Sequence, residues 1–353
     1  MDNIKVSAII VTFNPELDVL SELISSLNSQ VGNVVIVDNC SKNILKIKEL
    51  KEKKRFLLIE EPTNIGLAAA QNHGIKEALN NSTHIVIFDQ DSSITSSFIQ
   101  NQLKCEKILL DRGEKVSAVG PKFCDKNSGY EYPATLYHGP FIKSTKVNAE
   151  PVEATFVIAS GSLIRISVLK EVGLMLDDFF IDFVDVEWCL RANAKGYKCF
   201  INPFETMQHS IGDMRVRIFG RMISLHSDFR KFYIYRNGMF MIRLNYVPFG
   251  YKVRVLIFNM IRTFWDCVSV MLKKYTKSFY YWLVIRFLRN LTINILFRIF
   301  ILYTRQWANI NIFVLPEFYG YSIQYEMGRF LANIQNCSAI VKYCSASQVN
   351  TSA

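Results

Sequence analysis

No two of the eight cysteines (40, 105, 124, 189, 199, 267, 337 and 344) are spaced as CxxC, and no CxxH pair occurs. That leaves no zinc ribbon or thioredoxin-type motif and points to a reduced, cytosolic chain with mostly buried thiols. The glycine patterns GxGxxG and GxxxxGK[ST] are also missing, which counts against a dehydrogenase or an NTPase. No run of 18 uninterrupted apolar residues exists. The two long apolar stretches, Val253 to Leu272 and Phe279 to Tyr303, are broken by Arg254 and Arg262 and by Arg286, Arg289 and Arg298. The apolar segment Val6 to Phe13 is too short for the core of a cleavable signal peptide. Acidic residues almost vanish between Met214 and Ile310, where only Asp228 and Asp266 oppose 17 Lys or Arg. The formal net charge of +10 therefore arises in that one region.

What is present describes a folded protein. Of the 353 residues, 50% are hydrophobic and 20% charged, enough for a large α/β domain with an appendage. The basic window carries no nucleic-acid motif, so a nucleic-acid partner is not expected. It is rich in Phe, Tyr, Trp, Leu and Ile, which suits anionic lipid better. On a helical wheel Arg286, Arg289, Asn290 and Asn294 share one sector, with Arg298 at its edge. Ile293 and Phe297 intrude on that sector. A helix lying in the membrane interface is favoured over a span, and a contact between copies of the chain stays open. Residues 346–353 read as a disordered polar tail.

The first ninety residues alternate strand and helix. Val6 to Phe13 reads as a central strand, and Leu17, Leu20, Leu23, Ile24 and Leu27 follow at helical spacing. Val34 to Val37, a helix over Asn43 to Lys54, Phe56 to Ile59, a helix over Gly66 to Leu79 and a strand ending at Asp89 complete the pattern. Such an alternation builds an open parallel sheet whose ligand crevice lies beyond the carboxyl ends of the strands. Phe13-Asn14, Asp38 and the pair Asp89 and Asp91 all sit just past such ends. Two carboxylates one residue apart suit Mg²⁺ or Mn²⁺ that keeps water ligands and shares a substrate diphosphate. From Val116 the pattern changes. A short run ends at Pro121, the stretch from Cys124 to Lys146 reads as irregular, and a helix is expected over Ser167 to Val172. An acidic, aromatic segment, Asp177 to Trp188, leads into a helix that ends at Gly196.

The ordered set Ile10-Val11-Thr12-Phe13-Asn14, Val37-Asp38-Asn39, Asn64-Ile65-Gly66-Leu67-Ala68, Phe88-Asp89-Gln90-Asp91-Ser92, Phe180 to Trp188 and His209-Ser210-Ile211-Gly212 resembles family 2 glycosyltransferases of the GT-A fold. It is most similar to their bacterial rhamnosyltransferase branch. The resemblance spans about residues 5 to 240. It implies a GT-A catalytic domain over 1–240, with a nucleotide-binding half to about 115 and an acceptor half beyond it. A basic, aromatic helical region over 241–345 would then associate with membrane or with a second copy.

The resemblance also implies roles. Asp91 would bind the metal and Asp89 the nucleoside side of the donor, and Asp38 would take the pyrimidine N3–H. Thr12 and Asn14 would line base and ribose, while Asn64 and Gly66 would open the next helix beside the nucleotide. A capping or turn role explains Asp38, Asn64 and Gly66 nearly as well. Asp185 aligns with the general base of direct displacement, although Val184 stands where that family commonly has Glu. Asp182 and Glu187 remain alternatives, and helix capping is compatible with all three. His209 would sit near diphosphate and metal. Arg215 and Arg217 either close over the diphosphate or belong to the basic membrane face. Arg230, Tyr233, Arg236 and Asn237 share one helical face, with an acceptor phosphate as the contact considered for Arg236. Gly161 and Ser162 would admit the acceptor sugar close to the backbone.

The implied reaction is inverting, metal-dependent transfer of L-rhamnose from dTDP-β-L-rhamnose to a lipid-linked glycan, at the cytoplasmic face of the inner membrane. Hexose, galactofuranose or N-acetylhexosamine donors remain open. A non-catalytic carbohydrate-binding relative is the reading from another class. A sugar nucleotidyltransferase lacks support, because the glycine-rich basic loop for a triphosphate is missing.

Overall fold

The sheet is assembled outward from its most apolar strand. In this computed structural model, β1 (Val6–Thr12) has six of its seven residues buried, and α1 (Leu17–Asn28) returns over it with Leu20, Leu23, Ile24 and Leu27 facing inward. The described residues are 4–274 apart from 126–128, 140, 210–213, 219–220 and 226. Then follow β2 (Asn33–Asp38), α2 (Ile44–Lys53), β3 (Leu57–Glu60), α3 (Leu67–Ala78), β4 (His84–Asp89), α4 (Phe98–Asp111) and β5 (Val116–Asp125). A hairpin of β6 (Ala134–His138) and β7 (Phe141–Thr145) precedes β8 (Val152–Ala154), β9 (Ser162–Arg165) and α5 (Ile166–Val172). After a 3₁₀ turn over Asp177–Phe179 come α6 (Val184–Ala194), β10 (Lys198–His209), the hairpin β11 (Met214–Ile218) and β12 (Arg221–Leu225), α7 (Asp228–Arg243) and α8 (Phe249–Lys274).

Eight strands form one mixed sheet in the order β3-β2-β1-β4-β9-β5-β10-β8. β1 pairs in parallel with both β2 and β4, while β9 runs antiparallel between β4 and β5. The chain thus leaves β1 in one direction and returns on its other side, so the crevice between β1 and β4 is the switch point where ligands bind in open α/β sheets. Alternate residues of β1 serve opposite faces. Ala8 and Ile10 pack with α1, and Ile9 packs with Ile75 and Ala78 of α3. Burying each large aliphatic side chain here stabilises the fold by about 1.5–3 kcal/mol.

Three parts of the sequence reading change. β5 continues past Pro121 to Asp125, because β10 pairs with it in parallel as far as His209. The stretch expected to be irregular contains the β6–β7 hairpin. The thiols divide: Cys105, Cys189 and Cys199 are buried, while Cys40 and Cys267 are exposed.

The start of α8 is part of the core. Tyr251 and Val255 pack with Trp188 and Met241. Among the described residues, no helix is long and apolar enough to cross a membrane. The apolar stretch Phe279 to Tyr303, its arginine sector and the tail 346–353 lie outside the described residues.

Candidate active site

Polar side chains at the carboxyl ends of β1, β2 and β4 bond one another and fix the crevice. Thr12 Oγ1 donates to Asp38 Oδ1 at 2.9 Å, and Ser41 donates to the same carboxylate through Oγ (2.5 Å) and through its backbone N–H (2.8 Å). Both Thr12 and Asp38 are buried. Asn14, at φ +50°, donates its N–H to Ser41 Oγ, and its Oδ1 accepts from the Lys42 N–H, each at 2.8 Å. Gln90 stands between the two aspartates and clamps the end of β1. Its Oε1 accepts from the Phe13 N–H at 2.7 Å and its Nε2 donates to the Phe13 carbonyl at 3.3 Å. Nothing local marks Gln90 beyond its place between two acids, because its partner Phe13 is 77 residues away.

Asn64 is not the cap of α3. Its Oδ1 accepts from the Gly66 N–H at 3.0 Å and from Asn39 Nδ2 at 2.9 Å, tying β2 to the start of the helix. Gly66 adopts φ +87°, and a Cβ there would meet Phe180 at 2.4–2.9 Å. The close approach at Gly66 is therefore to the acidic loop, whose Phe180 carbonyl also accepts from the Ala68 N–H at 3.2 Å. The start of α3 and the acidic loop are locked together at this glycine.

The Asp89 backbone and the Asp185 carboxylate are held at two adjacent residues. The Ala159 N–H donates to Asp185 Oδ2 at 3.3 Å, and Ser160 Oγ accepts from the Asp89 N–H at 3.2 Å. Loss of hydration, then the charges of Asp91 and Asp185, push the Asp89 carboxyl up to about 7, against a smaller opposing pull from Arg230. Burial also raises the Asp185 carboxyl, partly offset by backbone N–H donors that include Val186, and the Asp182 charge adds to the rise. Asp185 lies in the first turn of α6, where exposed N–H groups favour its anion.

This donor set fits a divalent cation. Two hard oxygen donors sit at one strand end, Asp91 is exposed, and a cation would relieve both the lost hydration and the added repulsion that raise Asp89. Among the described residues no cluster of three or more His, Cys, Asp or Glu forms a complete protein cage. His209 ends β10 opposite Asp125; its side chain, like those of Arg215 and Arg217 in β11, lies outside the described atoms.

The acidic loop is strained and externally held. Phe180, Asp182 and Phe183 all have φ near +60°, a region that non-glycine residues enter at a cost of about 1–2 kcal/mol each. Asn237 of α7 is fully buried and donates through Nδ2 to the carbonyls of Phe179, Ile181 and Asp182 at 2.7, 2.8 and 2.9 Å. Arg230 makes a two-pronged pair with Asp182 (2.6 and 3.3 Å), and Arg236 donates to the Asp178 carbonyl while lying over the Tyr233 ring. From the other side Asn72 of α3 bonds the Met175 carbonyl at 2.8 Å and Asp177 at 2.6 Å. Arg236 and Asn237 thus brace the loop.

Two further expectations are corrected. Glu187 is 0% exposed, paired with Arg191 at 2.7 Å and with the Tyr246 hydroxyl at 2.5 Å, so it is a structural carboxylate turned into the core. The space at Gly161 is filled from within: a Cβ there would meet Met207 Sδ at 2.5 Å, Pro121 at 2.8 Å and Phe98 at 3.0 Å. Ser162 is buried beside it and bonds the Ile158 carbonyl at 2.5 Å. Neither residue offers an acceptor a path to the backbone.

A mixed sheet with carboxylates gathered at its β1/β4 switch point belongs to the GT-A class of sugar-nucleotide transferases, a class the comparisons resolve further. The Glycosyl transferase family 2 profile matches residues 7–173. The dTDP-rhamnosyl transferase RfbF of Shigella flexneri is 37% identical over 265 residues, covering 74% of this chain and 88% of that protein. The uncharacterized glycosyltransferase YwdF of Bacillus subtilis (strain 168) is 27% identical, over 59% of this chain and 75% of its own. A crystal structure of GalNAc-T7 with UDP, GalNAc and Mn²⁺ shares the fold with a TM-score of 0.50 at 14% identity, over 78% of this chain and 58% of that one. The chain belongs to glycosyl transferase family 2.

Proposed function

We propose that this protein transfers L-rhamnose from dTDP-β-L-rhamnose, with inversion, to a lipid-linked oligosaccharide in the synthesis of a surface polysaccharide such as O-antigen, capsule or cell wall. The observation that carries the reading is the meeting of Asp185 with the Asp89 and Asp91 pair across the Ala159-Ser160 peptide. A base and a diphosphate-side acid pair must face the same anomeric carbon for direct displacement. The choice of donor is supported by the activity named for the Shigella relative.

Mg²⁺ or Mn²⁺ would be held by Asp91 with Asp89 beside it, supplying positive charge to the departing diphosphate. His209 is proposed on the same side. Asp38, oriented by Thr12 and Ser41, takes the thymine N3–H, and Asn14 lines the ribose. Asp185 accepts the proton of the acceptor hydroxyl as its oxygen bonds the anomeric carbon and the bond to the diphosphate oxygen breaks. A carboxyl raised above its ordinary range is a stronger base for that step. Peripheral attachment to the cytoplasmic leaflet through the basic C-terminal region is part of the proposal, with pairing of two copies as its alternative.

A screen of dTDP, UDP and GDP sugars with Mn²⁺ or Mg²⁺, read by nucleotide release, tests the reading. Release from dTDP-rhamnose well above the other donors is expected, and preference for a UDP or GDP sugar overturns the donor assignment.

A further inference from the structure

An open groove of about 190 Å³ lies beside the start of α6. Its lining includes Tyr137, Phe183, Tyr251, Arg254, Asn259 and Arg262, and no carboxylate. It adjoins the reacting centre at two points. Phe183 precedes α6 and is two residues from Asp185, and the phenol of Tyr251, raised mainly by burial, is raised further by the Asp185 charge. Arg254 is held over the Tyr137 ring at 5.5 Å from its centroid. Arg262, two turns along the same helix, is exposed.

Asn259 also lines the groove. It is 7% exposed, its Nδ2 reaches the Tyr235 carbonyl at 3.4 Å, and its Oδ1 has no hydrogen-bond partner among the described residues. A buried amide oxygen left unpaired costs about 1–3 kcal/mol unless a ligand or water fills it. Two guanidiniums and flat aromatic walls on the groove suit an anionic phosphate ester, and Asn259 Oδ1, an acceptor, suits a hydroxyl donor beside it. Ile257, Ile261 and Trp265 stand exposed on the neighbouring stripe of α8. An apolar chain leaving the phosphate would run along that stripe.

We infer that this groove binds the phosphate or diphosphate that joins the acceptor glycan to its lipid, with Arg254 and Arg262 as the phosphate ligands. The inference rests on the glycosyl-transfer reading and names the acceptor side of that site. Such a grip would place the glycan's first sugars toward Asp185 and leave the lipid outside.

Direct binding tests it without requiring transfer. The full chain is titrated with geranyl diphosphate by calorimetry, with divalent cations chelated so that the donor crevice does not compete. The wild type is expected to bind geranyl diphosphate and to ignore geraniol. Arg254→Ala and Arg262→Ala are each expected to weaken binding at least tenfold, with Arg262→Lys restoring part of it. Thermal melting checks folding, and Arg262, being exposed, serves as the variant least able to disturb the core. Absence of wild-type binding, or equal affinity in Arg262→Ala, overturns the inference. Loss of sedimentation with phosphatidylglycerol vesicles while geranyl diphosphate affinity persists also overturns it, assigning the arginines to the membrane surface. A protein that binds geranyl diphosphate as expected yet releases no nucleotide from any donor places the failure in the transfer reading instead.

Discussion

Asn237→Ala tests whether α7 sets the position of the base. The side chain is fully buried and serves three carbonyls of the loop that leads into α6. Nδ2 shares two protons among the three carbonyls, so at about 1 kcal/mol for each proton the direct loss is about 2 kcal/mol. The left-handed conformations of Phe180, Asp182 and Phe183 store about 1–2 kcal/mol apiece, and that strain is released once its restraint goes. The Arg230 pair with Asp182 and the Asn72 anchor remain, so the loop relaxes while the sheet stays folded. Asp185 lies two residues after Phe183, in the first turn of α6, and a displacement of about 1 Å at a reacting group costs on the order of 100-fold in rate. The expected result is a kcat about 100-fold lower, with donor KM within threefold, because Thr12, Asp38 and Asn14 lie on other elements. Hydrogen exchange over residues 179–186 should accelerate by about 30-fold, the equivalent of about 2 kcal/mol. Unchanged exchange together with a kcat within twofold of wild type would refute the bracing role of α7.

Asp185→Asn is expected to abolish sugar transfer while thermal stability and donor binding persist; substantial residual transfer by a folded variant would move the base elsewhere. Because the Asp89 carboxyl sits near 7 in the folded protein and near 3.8 when unfolded, the folded state retains a proton that the unfolded chain has lost between those values. Cation-free stability should therefore fall as pH rises from about 4 to 7, and Asp89→Asn should flatten that slope in thermal melts. An identical slope in the variant would show that Asp89 does not carry the effect. Mn²⁺ should raise the melting temperature more at pH 8 than at pH 5, since it binds the anion. Truncation after Lys274 keeps Tyr251 and Val255 in the core and should release the protein from anionic vesicles; undiminished sedimentation would count against a membrane role for the C-terminal region.

The amino-acid sequence by itself determined the donor half. Apolar runs of β-branched residues, ended by Asn14, Asp38 and Asp89, set strand direction and crevice together, because parallel strands joined by short helices all end on one side. Asp185 entered only through the family resemblance, with Asp182 and Glu187 as alternatives. The helix α4 was illegible, because Gln102 and Glu106 lie on its buried face and blur the apolar period. Gln102 is there to bond the Gly161 carbonyl at 2.6 Å, a partner 59 residues away. Glu187 and Asp185 look alike in sequence, and only packing separated them, by turning Glu187 onto Arg191 and Tyr246. The same holds for Gly66 and Gly161, whose neighbours Phe180 and Met207 come from distant strands and loops. Periodicity and strand ends are properties of adjacent residues and survive in the sequence. The strained loop and the α7 residues that hold it are contacts between remote segments, which exist only once the chain has closed on itself.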